Sequence, residues 1–166
     1  MVDIEIRQAG PGELPLLMEW RMRVLREVFA LAGDADLSAL RSANEAYYRT
    51  ALPGGTHEAC FAVDAADGGR VVGCGGICYQ TEMPSPDNPA GTNGYLMNIY
   101  VLPAMRGRGI ARRIVDFLVA AAKRRGTGKI YLESTAAAQT LYRKAGFAEL
   151  PGFMKLERKE QEDERN

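Results

Sequence analysis

"YVLPAMRGRGIARRIVDFLV", residues Tyr100 to Val119, decides the fold. An apolar run ends at Leu102-Pro103, the turn Arg106-Gly107-Arg108-Gly109 follows, and Ile110, Ile114, Phe117, Leu118 and Ala121 then recur at helical spacing. That order reads as buried strand, tight turn, amphipathic helix. The first N–H groups of such a helix have no intrahelical acceptor and sit at the positive end of its dipole. They form an anion site. Gly107 and Gly109 let the main chain approach phosphate oxygens where a Cβ would intrude, and Arg106, Arg108, Arg112 and Arg113 supply charge around them. A diphosphate or similar group fits best.

Two familiar phosphate loops do not match. The dinucleotide fingerprint G-x-G-x-x-G has Arg112 at its third glycine here, and no early βαβ unit precedes it. The stretch "GTGK", residues 126 to 129, has Lys123 where a P-loop needs its first glycine and Ile130 where it needs Ser or Thr.

Outward from the turn, the other elements follow from periodicity. Val2, Ile4 and Ile6 alternate with charged residues up to Gly10-Pro11-Gly12, a first strand. Leu14, Leu17, Val24, Leu25 and Val28 predict a helix, and a second one starts at Asp36 or Ser38 and runs to Pro53-Gly54-Gly55. "EACFAV" and "RVVGCGGICYQ", joined by Asp67-Gly68-Gly69, read as a hairpin. Residues 81 to 94, rich in proline and without a hydrophobic period, read as a long loop of the functional or mobile kind. "YLMNIYV" is the strand before the glycine turn. After the third helix come the strand "KIYLE", the short helix "AAAQTLYRKA" closed by Gly146, and a terminal hairpin, "FAEL" and "FMKLE", around Pro151-Gly152. The tail, residues 158 to 166, is charged, without apolar period, and reads as frayed.

Composition limits the function classes. A chain of 166 residues with 46% hydrophobic residues supports one core, so residues 1 to 157 form a single α/β domain with a mixed sheet. The 21 basic residues balance 21 acidic ones, which argues against nucleic acid and anionic membrane as partners and makes any anion site local. Cys60, Cys74 and Cys78 lack zinc spacing and sit in apolar runs, as buried thiols of a reducing compartment do. The alternating start, "MVDIEIRQ", reads as a strand and not as a signal peptide, and no run is long enough to cross a bilayer. A cytoplasmic protein without a metal is the expectation.

The residues Arg106-Gly107-Arg108-Gly109-Ile110-Ala111 match the R/Q-x-x-G-x-G/A signature of the GCN5-related N-acetyltransferase (GNAT) superfamily. "LYRKAGF", Leu141 to Phe147, resembles the family's second hallmark, a helical tyrosine shortly before Gly-Phe. The resemblance implies a mixed, mostly antiparallel sheet of about seven strands flanked by about four helices. It also implies acetyl-CoA as cosubstrate and direct transfer of its acetyl group to a primary amine in a ternary complex. By the same carry-over, the backbone of Ile99, Tyr100 and Val101 pairs with the pantetheine arm, and Arg106, Gly107, Arg108, Gly109, Ile110, Ala111 and Arg112 hold the pyrophosphate. Thr135 stands where many relatives bond the pantetheine through asparagine. Tyr142 is the general acid for the leaving thiolate, with a contact to the cofactor, and the Val101 N–H faces the developing oxyanion.

The family's usual glutamate on the strand before the loop is missing, because "GYLMNIYV" has no carboxylate. Glu133 acting through a water, Glu58 and His57 are the candidates for the base. The resemblance puts the acceptor pocket among Trp20 to Arg26, Tyr47, Tyr48, residues 81 to 94 and Phe153. There Arg21 and Arg23 with the two tyrosines suit an aromatic or carboxylate-bearing amine. A small-molecule or peptide amine is the expected partner, and a homodimer is left open. The missing carboxylate also supports an alternative, a non-catalytic acyl-CoA-binding regulatory module.

Overall fold

The glycine turn joins a strand to a helix, and the sheet around it has five strands in the order β1-β2-β3-β4-β5. The computed structural model describes residues 2–157. The strands are β1 (Ile4–Gln8), β2 (His57–Asp64), β3 (Arg70–Thr81), β4 (Thr92–Val101) and β5 (Lys129–Leu132). The helices are α1 (Leu14–Val28), α2 (Ser38–Ala51), α3 (Ile110–Arg124) and α4 (Gln139–Lys144). Neighbours from β1 to β4 pair antiparallel, whereas β4 and β5 are parallel.

Alternation along the strands divides the core between the two faces of the sheet. Ala59, Phe61, Val63 and Cys74 pack with Leu17, Met18, Trp20 and Val24 of α1 and with Tyr48 of α2. On the other face Cys60, Val72, Ile77 and Leu96 meet Ile110, Ile114, Val115 and Leu118 of α3. Ile114 and Leu118 are fully buried, so truncating either to Ala costs about 2–5 kcal/mol. The buried thiols Cys60 and Cys74 are pushed up to about 12 by desolvation, which makes them inert packing groups.

Two features of β4 shape the site. Cys74 pairs with Tyr100 and Gly76 with Met97, so Asn98 and Ile99 together stand opposite Gly75, a β-bulge. A Cβ on Gly75 would lie 2.4 Å from Ile114 Cγ2, so only glycine lets α3 come this close beneath the bulge. The second feature is a split: β5 pairs with Asn93 to Leu96 and then ends, while β4 continues to Val101.

The expected terminal hairpin is not formed, and the sheet has five strands where about seven were expected. Residues 147–150 and 153–157 flank a turn at Pro151-Gly152 without strand pairing. Leu150, Phe153, Met154 and Leu156 are exposed. A two-stranded hairpin is marginal by itself, and β5 is a short strand on which to build it. The long loop is shorter than expected, because β3 reaches Thr81 and β4 begins at Thr92. It is also pinned: Asn88, with no exposed surface, donates to Glu82 Oε1 at 3.0 Å and Asn93 Oδ1 at 2.8 Å. The tail, 158 to 166, lies outside the described residues.

Candidate active site

The split between β4 and β5 opens directly onto the glycine turn. Leu102 donates its N–H to Val72 at 2.9 Å, so in the antiparallel ladder Val101 opposite Gly73 is a non-hydrogen-bonded pair. The main-chain groups of Val101 therefore point away from β3, toward the side where β5 has ended. Tyr100, one residue earlier, falls in the hydrogen-bonded pair with Cys74. Its backbone is committed to β3, which leaves Val101 at the strand end with main-chain groups facing the split.

None of the N–H groups from Gly107 to Arg112 has a hydrogen-bond acceptor among the described residues; the first intrahelical bond there is Arg113 N–H to Gly109 C=O, 3.2 Å. Gly107 and Gly109 both have φ of 75°, a left-handed conformation that glycine adopts without strain. A Cβ at either position would meet nothing within 4 Å, so the two glycines face open space and are required by backbone conformation and not by packing.

The arginines around the turn divide by role. Arg106 folds back: its Nε donates to the Val101 carbonyl at 3.0 Å, its Nη2 to Glu27 Oε1 at 2.5 Å, and its guanidinium lies over the Tyr100 ring. Glu27 also accepts from the Tyr100 hydroxyl, and these bonds, the tyrosine's first, hold its carboxyl below the ordinary range. Arg112 binds Asp116 at 2.8 Å and donates to the Lys144 carbonyl at 2.6 Å, which ties α3 to the end of α4. Arg108 and Arg113 are exposed and make no side-chain hydrogen bond or ion pair among the described residues. They are the charges left for an anion.

Tyr142 of α4 is half-buried, packs edge-on against Phe147 at 6.0 Å, and joins the core beneath α3. Burial, and then the neighbouring Tyr95, raise its phenol, which stays protonated. Thr135 is exposed at the start of the turn that leads into α4.

On the α1 and α2 face of the split lies a cavity of about 290 Å³, small for a ligand site, whose walls include Arg21, Tyr47, His57, Tyr95, Met97 and Asn98. Arg21 donates to Asn44 Oδ1 at 2.8 Å and to Asn98 Oδ1 at 3.0 Å. Arg23, expected beside it, points outward over the Trp20 ring and toward Glu19. Tyr47 Oη lies 2.9 Å from His57 Nδ1. His57 Nε2 is buried without a partner against Gly76. An orphaned acceptor costs less than an orphaned N–H, so the hydrogen-bond network assigns the imidazole proton to Nδ1. Nδ1–H then donates to Tyr47, whose own proton is directed at the Cys78 thiol on the cavity wall.

The candidate bases separate as sharply. Burial first, and Arg21 second, push His57 down to about 4, so it is neutral at physiological pH. Glu58 lies on the strand position after His57, hence on the opposite face of the sheet, and pairs with Arg125 at 3.3 Å. Glu133 is exposed just beyond β5, close enough for its charge to act on Tyr95. The Arg21 to Asn98 contact is the feature that sequence reading missed. An Asn in an apolar strand was its only signal; Asn98 has φ of 61°, a conformation that asparagine tolerates.

Among the described residues no helix is long and apolar enough to cross a membrane, and no cluster of His, Cys, Asp and Glu is arranged for a metal. An IAA acetyltransferase of Azospirillum brasilense is 35% identical over 88 residues, which are 51% of this chain and 52% of the relative. The chain thus spans about half the length of the curated relative it matches. A predicted acetyltransferase of Clostridium acetobutylicum, solved with acetyl-CoA, superposes with a TM-score of 0.81 at 25% identity over 93% of this chain and 96% of the other. A GCN5-related N-acetyltransferase of Ralstonia eutropha shares the fold, with a TM-score of 0.76 at 24% identity over 93% and 98% of the two chains. The model of the acetyltransferase (GNAT) family matches residues 17–147, through the split, the glycine turn and Tyr142, and the chain belongs to that family.

Proposed function

We propose that the protein transfers an acetyl group from acetyl-CoA to a primary amine of a small molecule or peptide, by direct attack in a ternary complex. The observation that carries this reading is the row of unpaired N–H groups from Gly107 to Arg112, at the mouth of the split where β4 outruns β5. Bound acetyl-CoA supplies the activated acyl group as a thioester. The chain supplies everything else. The turn's N–H groups and the side chains of Arg108 and Arg113 hold the pyrophosphate, with Arg106, Ile110, Ala111 and Arg112 shaping and bracing the turn. Ile99 and Val101 present main-chain groups to the pantetheine arm, and Thr135 borders the same cleft.

In the chemical step the Val101 N–H, turned toward the split, stabilises charge developing on the carbonyl oxygen. Tyr142, protonated at neutral pH, donates its proton to the departing sulfur. Glu133 takes the amine's proton through a water; its charge reaches Tyr95 of the cavity wall, whereas Glu58 lies on the opposite face of the sheet. Release of CoA thiol against a panel of primary amines tests the reading. A second reading, a non-catalytic acyl-CoA-binding module, draws support from the lack of a carboxylate inside the cavity. Tight acetyl-CoA binding with thiol release at background across the panel would establish it instead.

A further inference from the structure

We propose that the acceptor is a small amine carrying a carboxylate and an apolar or aromatic body, an amino acid in chemical class, with its carboxylate held by Arg21. This rests on the transferase reading above only for calling the ligand an acceptor; the anchoring itself is a statement about binding.

Arg21 is a half-buried cation for which no carboxylate partner exists among the described residues. Its two contacts, Asn44 Oδ1 and Asn98 Oδ1, are neutral, so they orient the guanidinium without cancelling its charge. Both amides are themselves fixed. Asn44 donates its amino group to the Leu40 carbonyl at 2.8 Å, and Asn98 sits at the bulge with its amino group toward Cys74 Sγ. The Arg21 Nη2 hydrogens have no protein acceptor among the described residues. The charge is felt across the cavity, because it opposes the upward shifts of the Tyr47 and Tyr48 phenols and adds to the downward shift of His57.

A second donor faces the same space. With Nδ1–H of His57 directed at Tyr47, the Tyr47 hydroxyl is left with the Cys78 thiol of the cavity wall, a weak acceptor that a bound carboxylate would displace. One guanidinium and one hydroxyl suit a planar monoanion. A phosphate would call for more charge, and the cavity has no lysine, second arginine or helix N-terminus in its walls. Tyr95 and Met97 offer the remaining surface to an apolar or aromatic side chain, and the volume of about 290 Å³ admits one small molecule. Asn98, which Arg21 touches, directly precedes Ile99 at the split, so a carboxylate held there leaves its amine beside the place where the thioester ends.

Matched ligands differing only in the anion test this: L-phenylalanine, its primary amide and phenethylamine, together with the aliphatic acid L-leucine. Binding to the CoA-loaded protein is measured by calorimetry, and transfer by CoA release, for the native chain and for Arg21→Gln, Arg21→Lys and Tyr47→Phe. We expect the acids to bind more tightly than the amide or the amine by about 10- to 100-fold, the range of a charged hydrogen bond. That preference should disappear in Arg21→Gln, persist in part in Arg21→Lys, and weaken in Tyr47→Phe, with CoA affinity unchanged in all three. Unchanged CoA affinity also shows that the variants fold. Equal binding of acid and amide, a preference that survives Arg21→Gln, or no binding by any of these ligands would overturn the inference. A carboxylate preference in binding with no transfer to any amine would uphold the anchor and remove the transferase reading instead.

Discussion

Arg106 and Glu27, 79 residues apart in sequence, meet at 2.5 Å and fasten the glycine turn to the last turn of α1. The pair is exposed, with side chains 51% and 41% accessible, so its own contribution to stability is about 1 kcal/mol or less. Its importance is positional. Arg106 also grips the Val101 carbonyl, so one side chain sets the turn relative to the strand end that faces the split. Glu27→Ala should lower the melting temperature by no more than about 4 °C. It should weaken CoA binding by about 3- to 10-fold, because the turn would have to be ordered on binding. Calorimetric titration with CoA checks this, and an unchanged affinity would confine the pair to a surface role.

Gly109→Glu should abolish CoA binding. The carboxylate would stand where the pyrophosphate is expected, at a residue with φ of 75°. Gly109→Ala separates the two effects, because it adds only left-handed strain of about 1–2 kcal/mol in open space. Affinity should fall modestly in the alanine variant and vanish in the glutamate variant, while both retain a cooperative thermal transition. Retained CoA binding in Gly109→Glu would contradict the placement of the phosphates.

Tyr142→Phe should keep CoA affinity and reduce kcat by about 10²- to 10⁴-fold, the range for loss of a general acid. The ring packs against Phe147 and the core, and phenylalanine preserves that packing. A melting temperature close to that of the native chain with an unchanged kcat would leave Tyr142 as a packing residue alone.

The sequence was most legible where a local pattern carries its own physics. The glycine pair fixes a left-handed turn and frees N–H groups whatever the rest of the chain does, so the turn and its unpaired N–H groups could be read from residues 106 to 112. Element order was also legible, from the β1 alternation to the α3 stripe. The terminal hairpin was not, because its strands depend on a partner edge and alternation in "FMKLE" says nothing about whether one is available. The cavity was legible only in part. Tyr47 and Arg21 were expected there, but Arg23 was expected too, and the rotation of about 200° between two helix positions decides which arginine faces inward. The bulge that turns Asn98 toward Arg21 is a mismatch between two strands, which no single stretch of sequence displays.

His57 supplies the pH prediction. Its folded value of about 4 lies below the ordinary 6.5, so as pH falls the unfolded chain takes up the proton first. The stability associated with the neutral, buried imidazole is therefore fully present above 6.5 and is lost progressively toward 4. Thermal unfolding of the native chain and of His57→Gln should differ most at neutral pH, with the gap narrowing over that interval. The same shift keeps the ring unprotonated throughout the neutral range, so His57 contributes no titration near neutrality. The acidic limb of kcat/KM should follow the free amine of the acceptor, moving when an acceptor of different amine pKa is used, and it should be the same in His57→Gln. A limb centred near the ordinary imidazole value that disappears in His57→Gln would mean that the ring is solvated in solution and takes the proton itself.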